Sequence, residues 1–259
     1  MKLISLNIWG GQVHKPLLEF IKKNNNDIDI FCFQEVFKSK ENVISNGSKV
    51  NIYYDIVKIL KEYSVYYAPT FEGRDLEGKV DFEVYFGQAI FVKKNIKIIE
   101  EESVFIFGSY NDDKETFSEG FGKYIDFPRV MQYVILEKNN ERTLIANIHG
   151  YWNPKTKNDT PQSLMQSERI IEFLDSQKYR KILCGDFNLN PNTQSMTMLE
   201  KEMINLIKKY NIKSTRSKHH DREDKFADYI LVSKDIEIRN FEVLPKHISD
   251  HLPLFLEFS

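Results

Sequence analysis

Cysteine is almost absent: the 259 residues contain 2, Cys32 and Cys184, each inside an apolar run (IFCFQE and KILCGD) where a small thiol suits a core. That scarcity argues against a disulfide-stapled secreted scaffold, and both thiols are expected to be reduced. Long hydrophobic runs are missing too. No stretch approaches the ~20 apolar residues of a membrane span, and the opening MKLISLNIWG alternates like a strand instead of carrying the apolar segment of an export signal. The chain is therefore expected to be soluble and cytoplasmic, without a membrane partner. Nor is there a charge excess of one sign, since 36 basic residues stand against 38 acidic, so no global field draws the chain to nucleic acid or an anionic surface. No linker rich in proline or glycine, no internal repeat and no low-complexity tract divides the sequence. One domain spanning residues 1–259 is expected, a length that single α/β or sandwich domains often reach.

What the chain does contain is short β runs. KLISLN, DIFCF, VYYAP, AIFVKK, KIIEE, VMQYVILE, TLIANIH, KILCGD, ADYILVS, IEIRNFEVL and LPLFLEF mix β-branched and aromatic residues and stop at turn formers. Helical periodicity is rarer. Val50, Tyr53, Tyr54 and Val57 share one face, Leu164, Ser167, Ile171 and Leu174 another, and Asp159 or Thr160 before Pro161 is a helix start. More than ten strands exceed one comfortable open sheet, which favours two packed sheets with helices outside, an α/β (α+β) sandwich. The longest irregular stretches, roughly residues 70 to 85, 107 to 128 and 213 to 225, are candidates for a substrate rim.

The chemistry is concentrated where apolar strands meet polar residues. LISLN ends at Asn7, DIFCFQE at Gln34 and Glu35, and TLIANIH at Asn147 and His149. KILCGDFN delivers Asp186 and Asn188, while FADYILVS and ISDHLPLFLEF open with Asp228 and with Asp250 and His251. Burying a carboxylate or imidazole beside a core strand is costly unless it is paired or binds an ion, so six such places point to one shared site. Taken singly each has an ordinary reading: a turn asparagine, a surface glutamate, a satisfied core histidine. GDFN is the most distinctive, because Gly185 frees the backbone where Asp186 and Asn188 are expected to emerge on the same face of an extended segment.

In order and spacing these motifs resemble the endonuclease/exonuclease/phosphatase superfamily, its deoxyribonuclease-I-like metal-dependent phosphoesterases included, from Asn7 to the last strand. The resemblance implies a four-layer α/β sandwich: two packed mixed β-sheets flanked by helices. It implies a metal site of Asn7, Glu35 and Asp250, whose oxygens suit Mg²⁺ or Mn²⁺. His251 would be oriented by Asp228, Asp186 and Asn188 would position water and a phosphoryl oxygen, and His149 and Arg129 would contact the phosphate. The reaction implied is hydrolysis of a phosphodiester by in-line attack of water, with either His251 or Asp186 taking the proton.

Two departures narrow the family's range. Where the apurinic-site branch carries an Asp two residues after the first asparagine, this chain has Trp9. Where the deoxyribonuclease branch gives its mid-chain histidine an acidic partner, the nearest strand here offers Gln88, with Glu83 as a substitute. Tyr151 and Trp152 either stack on a base or pack over the site rim, or else belong to the core. The loop KSTRSKHHDREDK carries Lys213, Arg216, Lys218 and Arg222, diluted by Asp221, Glu223 and Asp224. A nucleic-acid phosphodiester acted on by a monomer is the expected substrate, with a small-molecule, sugar or lipid-headgroup phosphate as the alternative. Retention of all six motif positions argues against an inactive binding module.

Overall fold

A computed structural model describes residues 1–76, 78–112, 114–118, 122–138 and 140–259. Its first strands are β1 (Lys2–Asn7), β2 (Ile30–Lys38), β3 (Ile44–Ser45), β4 (Ser48–Lys49), β5 (Tyr63–Glu72), β6 (Tyr85–Lys93), β7 (Lys97–Phe107) and β8 (Lys114–Ser118). Then come β9 (Gly122–Asp126), β10 (Arg129–Lys138), β11 (Glu141–His149), β12 (Arg180–Asp186), β13 (Met203–Asn205), β14 (Asp228–Ser233), β15 (Ile238–Val243) and β16 (Leu254–Phe258). The helices are α1 (His14–Asn24), α2 (Ile52–Ile59), α3 (Pro161–Ser176), α4 (Gln194–Leu199) and α5 (Leu206–Lys209).

Twelve strands make two six-stranded sheets, ordered β15-β16-β1-β2-β6-β5 and β13-β14-β12-β11-β10-β7. Each sheet has one parallel pair near its middle, β1 with β2 and β11 with β12, among antiparallel neighbours. The alternation of side chains decides how the layers stack. Leu3 and Cys32 point into the cluster shared with the second sheet, whereas Ile4, Leu6, Phe31 and Phe33 pack outward with Leu17, Phe20 and Ile21 of α1 and Ile52 and Ile56 of α2. Beyond the second sheet, Ile170 and Leu174 of α3 and Met196 and Leu199 of α4 close the core. With both faces covered, the central strands read as nearly continuous apolar runs. This is the four-layer sandwich expected from the sequence.

All eleven expected β runs are strands. The additional ones, β3, β4, β8, β9 and β13, are at most five residues long, too short to show a period. Helix α1 was not anticipated although Leu17, Phe20 and Ile21 carry its i, i+3, i+4 signal. Helix α3 begins as expected: the Thr160 hydroxyl accepts from the Ser163 N–H, with Pro161 in the first turn. Its buried face is turned by one residue, Ile170 being fully buried and Ile171 half-buried. Cys32 and Cys184 are free, buried thiols, and burial together with the adjacent Cys184 pushes the Cys32 thiol up. Among the described residues no helix is long and apolar enough to cross a membrane.

Candidate active site

The strand registers bring the polar ends together. Asn7 pairs with Gln34 across the parallel β1–β2 ladder. In the other sheet, His149 pairs with Asp186, and Asp186 with Asp228. Three of the expected side chains therefore share one row at one end of the second sheet, facing the end of β1. Glu35 should point away from its neighbour Gln34, but β2 is bulged between Phe33 and Val36 and Glu35 adopts φ 55°. The bulge re-aims its carboxylate into the site.

Gln34 and Asn147 do something else. Gln34 Nε2 donates to Asn147 Oδ1 at 2.6 Å, and Asn147 Nδ2 to the Phe33 carbonyl at 3.2 Å. Gln88 Nε2 donates to the Asn147 carbonyl at 2.5 Å. These buried amides join the two sheets below the site. Glu83, the suggested acidic partner of His149, is exposed and lines a separate hollow with Lys38 and Tyr85. His149 instead meets the Phe86 ring at 6.1 Å.

The Asn7 amide nitrogen donates to Glu35 Oε1 at 2.9 Å and to Asp186 Oδ2 at 3.0 Å, while its oxygen accepts from the Trp9 N–H at 2.9 Å. Asn7 thus holds two carboxylates side by side. His149 Nε2 lies 3.7 Å from Glu35 and 3.9 Å from Asp186. Ligand atoms of these three lie within 4.8 Å of one another. Burial and then Asp250 push the Glu35 carboxyl up to about 7, and its Oε2 is buried with no hydrogen-bond partner. Two crowded carboxylates with an unsatisfied oxygen are the donor set a hard divalent cation completes. Burial, followed by Arg129, drives the His149 imidazolium down to about 3, leaving a neutral ring.

Across the cavity His251 is anchored by Asp228, with Nδ1 donating to its carboxylate oxygens at 2.8 and 2.9 Å. The structure thus places these two side chains together. Nothing in the sequence signals that Arg216 turns inward and donates from Nη1 to His251 Nε2 at 2.5 Å, while also pairing with Asp224 at 3.2 Å. Short backbone bonds fix this arrangement, from Ser217 N to the Asp250 carbonyl and from Leu252 N to the Thr215 carbonyl. Burial and Arg216 oppose an imidazolium at His251, but Asp228, Asp250 and Asp186 outweigh them and push it up to about 9. An Arg216 N–H directed at Nε2 requires a lone pair on that nitrogen. The hydrogen bonds define the resting tautomer, a proton on Nδ1 and a basic Nε2.

Between these groups sits Asp186, 2% exposed and 3.7 Å from His251 Nε2. Burial opposes its charge, yet His251, His149, Arg216 and Lys157 hold its carboxyl well below the usual range. Asn188 reaches the cavity through a left-handed turn, φ 56°, in place of the extended segment GDFN suggested. Its N–H donates to Asp186 Oδ1 at 2.9 Å, and both ends of its amide are engaged: Nδ2 donates to the Gly150 carbonyl at 3.2 Å, and Oδ1 accepts from Lys157 Nζ at 2.5 Å. Lys157 is a site residue the sequence did not disclose. Gly185 is the local hinge: at φ 134° a Cβ would stand 2.0 Å from the Ile148 carbonyl oxygen. Gly185→Ala is expected to destabilise the fold by at least about 1–3 kcal/mol of backbone strain, seen as a lower thermal midpoint and impaired activity together.

These residues line a cavity of about 410 Å³, with Arg129 on its floor and Trp9, Leu76, Phe127 and Trp152 among its walls. A larger hollow of about 1080 Å³ lies beside α3 and β13, but the cluster of chemically competent groups identifies the smaller one. Each expected rim stretch contributes through Leu76, Phe127 or His219 to Asp224, though residues 77, 113 and 119–121 lie outside the described residues. Tyr151 and Trp152 divide the two roles foreseen for them: Tyr151 is buried against Phe107, and Trp152 forms the rim with Arg222 5.6 Å above its ring.

The sequence matches the profile described as "Endonuclease/Exonuclease/phosphatase family" over residues 4–251. The chain belongs to this family. No curated protein matches it. Among solved structures it is similar to a family protein from Leptotrichia buccalis (17% identity, TM-score 0.70, covering 100% of this chain and 99% of that one). It is also similar to a mannosyl-6-phosphatase of Bacteroides thetaiotaomicron (17%, TM-score 0.69, 100% and 99%) and to the human Nocturnin catalytic domain with bound sulfate (18%, TM-score 0.67, 100% and 93%). At such identities these structures establish the shared fold. Family membership establishes a hydrolytic phosphoesterase.

Proposed function

We propose that the protein is a divalent-metal-dependent phosphoesterase using Mg²⁺ or Mn²⁺ and acting on a compact phosphate ester. The observation that carries this is the single cavity in which the Glu35, Asp186 and Asp250 carboxylates face Arg129, Lys157 and the Asp228–His251 pair. Glu35 and Asp250 would hold the cation, with Asn7 positioning Glu35. The bound ion would supply Lewis-acid stabilisation of charge on the phosphoryl and leaving oxygens. Asp186 and the basic Nε2 of His251 border the position from which water attacks, and either can accept its proton. Arg129 and Lys157 hold phosphoryl oxygens, and neutral His149 can donate to one.

A nucleic-acid strand, the substrate expected from the sequence, is less well supported. Two of the four basic residues meant to grip a polyanion are engaged locally, Arg216 with His251 and Asp224 and Arg222 with Trp152, while Asp221 and Asp224 share the same wall. A panel of p-nitrophenyl phosphate, bis-p-nitrophenyl phosphate, single- and double-stranded oligonucleotides and a 5′-tyrosyl oligonucleotide tests this. With Mg²⁺ or Mn²⁺, turnover of the small esters that stops with EDTA supports the assignment. Cleavage confined to oligonucleotides would restore the nuclease reading, and silence on every ester would remove phosphoester hydrolysis altogether.

A further inference from the structure

Among the described residues, two of the cavity's buried cations make no direct ion pair. Arg129 and Lys157 are 7% and 8% exposed, and no ion pair to either is found among the described residues. Arg129 Nε has no hydrogen-bond acceptor. Lys157 places one N–H on Asn188 Oδ1 and keeps two donors for the cavity. Arg216, by contrast, is already held by Asp224 and His251. Burying a cation with donors left unpaired is costly, so two of them facing one cavity make a built anion site.

Arg129 opens β10, whereas Lys157 lies in the segment between β11 and α3 beside Asn188, so the two cations reach the cavity from separate elements. An internal phosphodiester presents one negative charge and two free oxygens. A terminal phosphate presents close to two charges at neutral pH and three oxygens. Esterifying one of those oxygens removes a charge and an acceptor for the donors of Arg129 and Lys157. The cavity of about 410 Å³, with Trp9 and Trp152 in its walls, falls in the size range of small-ligand sites.

We propose, on the basis of the phosphoesterase assignment above, that Arg129 and Lys157 form a two-cation cradle selecting a terminal phosphate monoester of a compact molecule over an internal diester, with Lys157 matching the second charge. In the reaction the water oxygen bonds to phosphorus and gives its proton to Asp186 or His251. The ester P–O bond breaks, and the departing oxygen keeps the electron pair and takes up a proton, leaving inorganic phosphate and an alcohol.

The test compares binding and turnover. In titration calorimetry of the metal-free protein, inorganic phosphate should bind more tightly than dimethyl phosphate by about 10-fold or more, the size of one charge-assisted hydrogen bond. In the presence of Mn²⁺, Lys157→Met should lower kcat/KM for p-nitrophenyl phosphate by about 100-fold while lowering that for bis-p-nitrophenyl phosphate by less than about 10-fold. Equal losses on the two esters, or dimethyl phosphate binding as well as inorganic phosphate, would overturn the monoester cradle while leaving the phosphoesterase standing. Absence of turnover with either ester in the wild type would remove the phosphoesterase itself. The binding comparison needs no variant, so it decides the matter even if Lys157→Met does not fold.

Discussion

Asp186→Asn is expected to lower kcat by about 10²–10⁴-fold, the range associated with losing a positioned proton acceptor. The carboxylate sits between both halves of the site: it accepts from Asn7 of the first sheet and from the Asn188 backbone, and lies 3.7 Å from His251 and 3.9 Å from His149. Asparagine preserves the shape and one acceptor oxygen but removes the charge that His251, His149, Arg216 and Lys157 surround. The fold should therefore survive with a lower thermal midpoint, since Arg216 and Lys157 lose a shared counter-charge. Steady-state kinetics on p-nitrophenyl phosphate with Mn²⁺, beside circular dichroism, separates the two effects. A folded Asp186→Asn protein retaining more than about a tenth of wild-type kcat would show that Asp186 neither positions the water nor receives its proton.

The central position of Asp186 was legible because it follows from period and register. A strand that alternates through the core and ends on a carboxylate must deliver that group to one end of a sheet, where a parallel neighbour brings its last residue and an antiparallel neighbour its first. His149 at the end of parallel β11, Asp186 at the end of β12 and Asp228 at the start of antiparallel β14 meet for this reason. Glu35 was found by its motif, but the bulge that turns it inward while Gln34 bonds Asn147 depends on the partner strand and has no local signature. Lys157 was hidden more completely. In YWNPKTKNDT, Lys155 is exposed and Lys157 buried, two similar residues in one polar loop, and only the approach of Asn188 from another segment distinguishes them. Arg216 was noticed as one charge among several in a solvated loop. Its inward turn depends on pairing of that loop with the C-terminal SDH segment, a contact far apart in sequence.

Glu35→Gln should separate stability from function in opposite directions. Without a cation, burial and Asp250 push the Glu35 carboxyl up to about 7, above the value near 4.3 of an unfolded glutamate. A carboxyl with a raised folded value favours the fold when protonated. Its contribution is fully present below about pH 4.3 and is lost as pH rises to about 7, amounting to on the order of 3 kcal/mol. In EDTA the wild-type thermal midpoint should therefore suffer from this group at pH 8 relative to pH 5.5, and Glu35→Gln, which cannot ionise, should unfold at a higher temperature than wild type at pH 8. Adding Mg²⁺ or Mn²⁺ should reverse the order, because binding favours the ionised carboxylate and stabilises only the protein that retains it. Hydrolysis should be lost in the variant at both pH values. A glutamine protein that is stabilised by metal as strongly as wild type would place the cation elsewhere in the cavity. One that is less stable than wild type in EDTA at pH 8 would mean that the Glu35 carboxylate is held by Asn7 and His149 well enough to need no ion, and the crowding of Glu35 with Asp250 would then have no bearing on metal affinity.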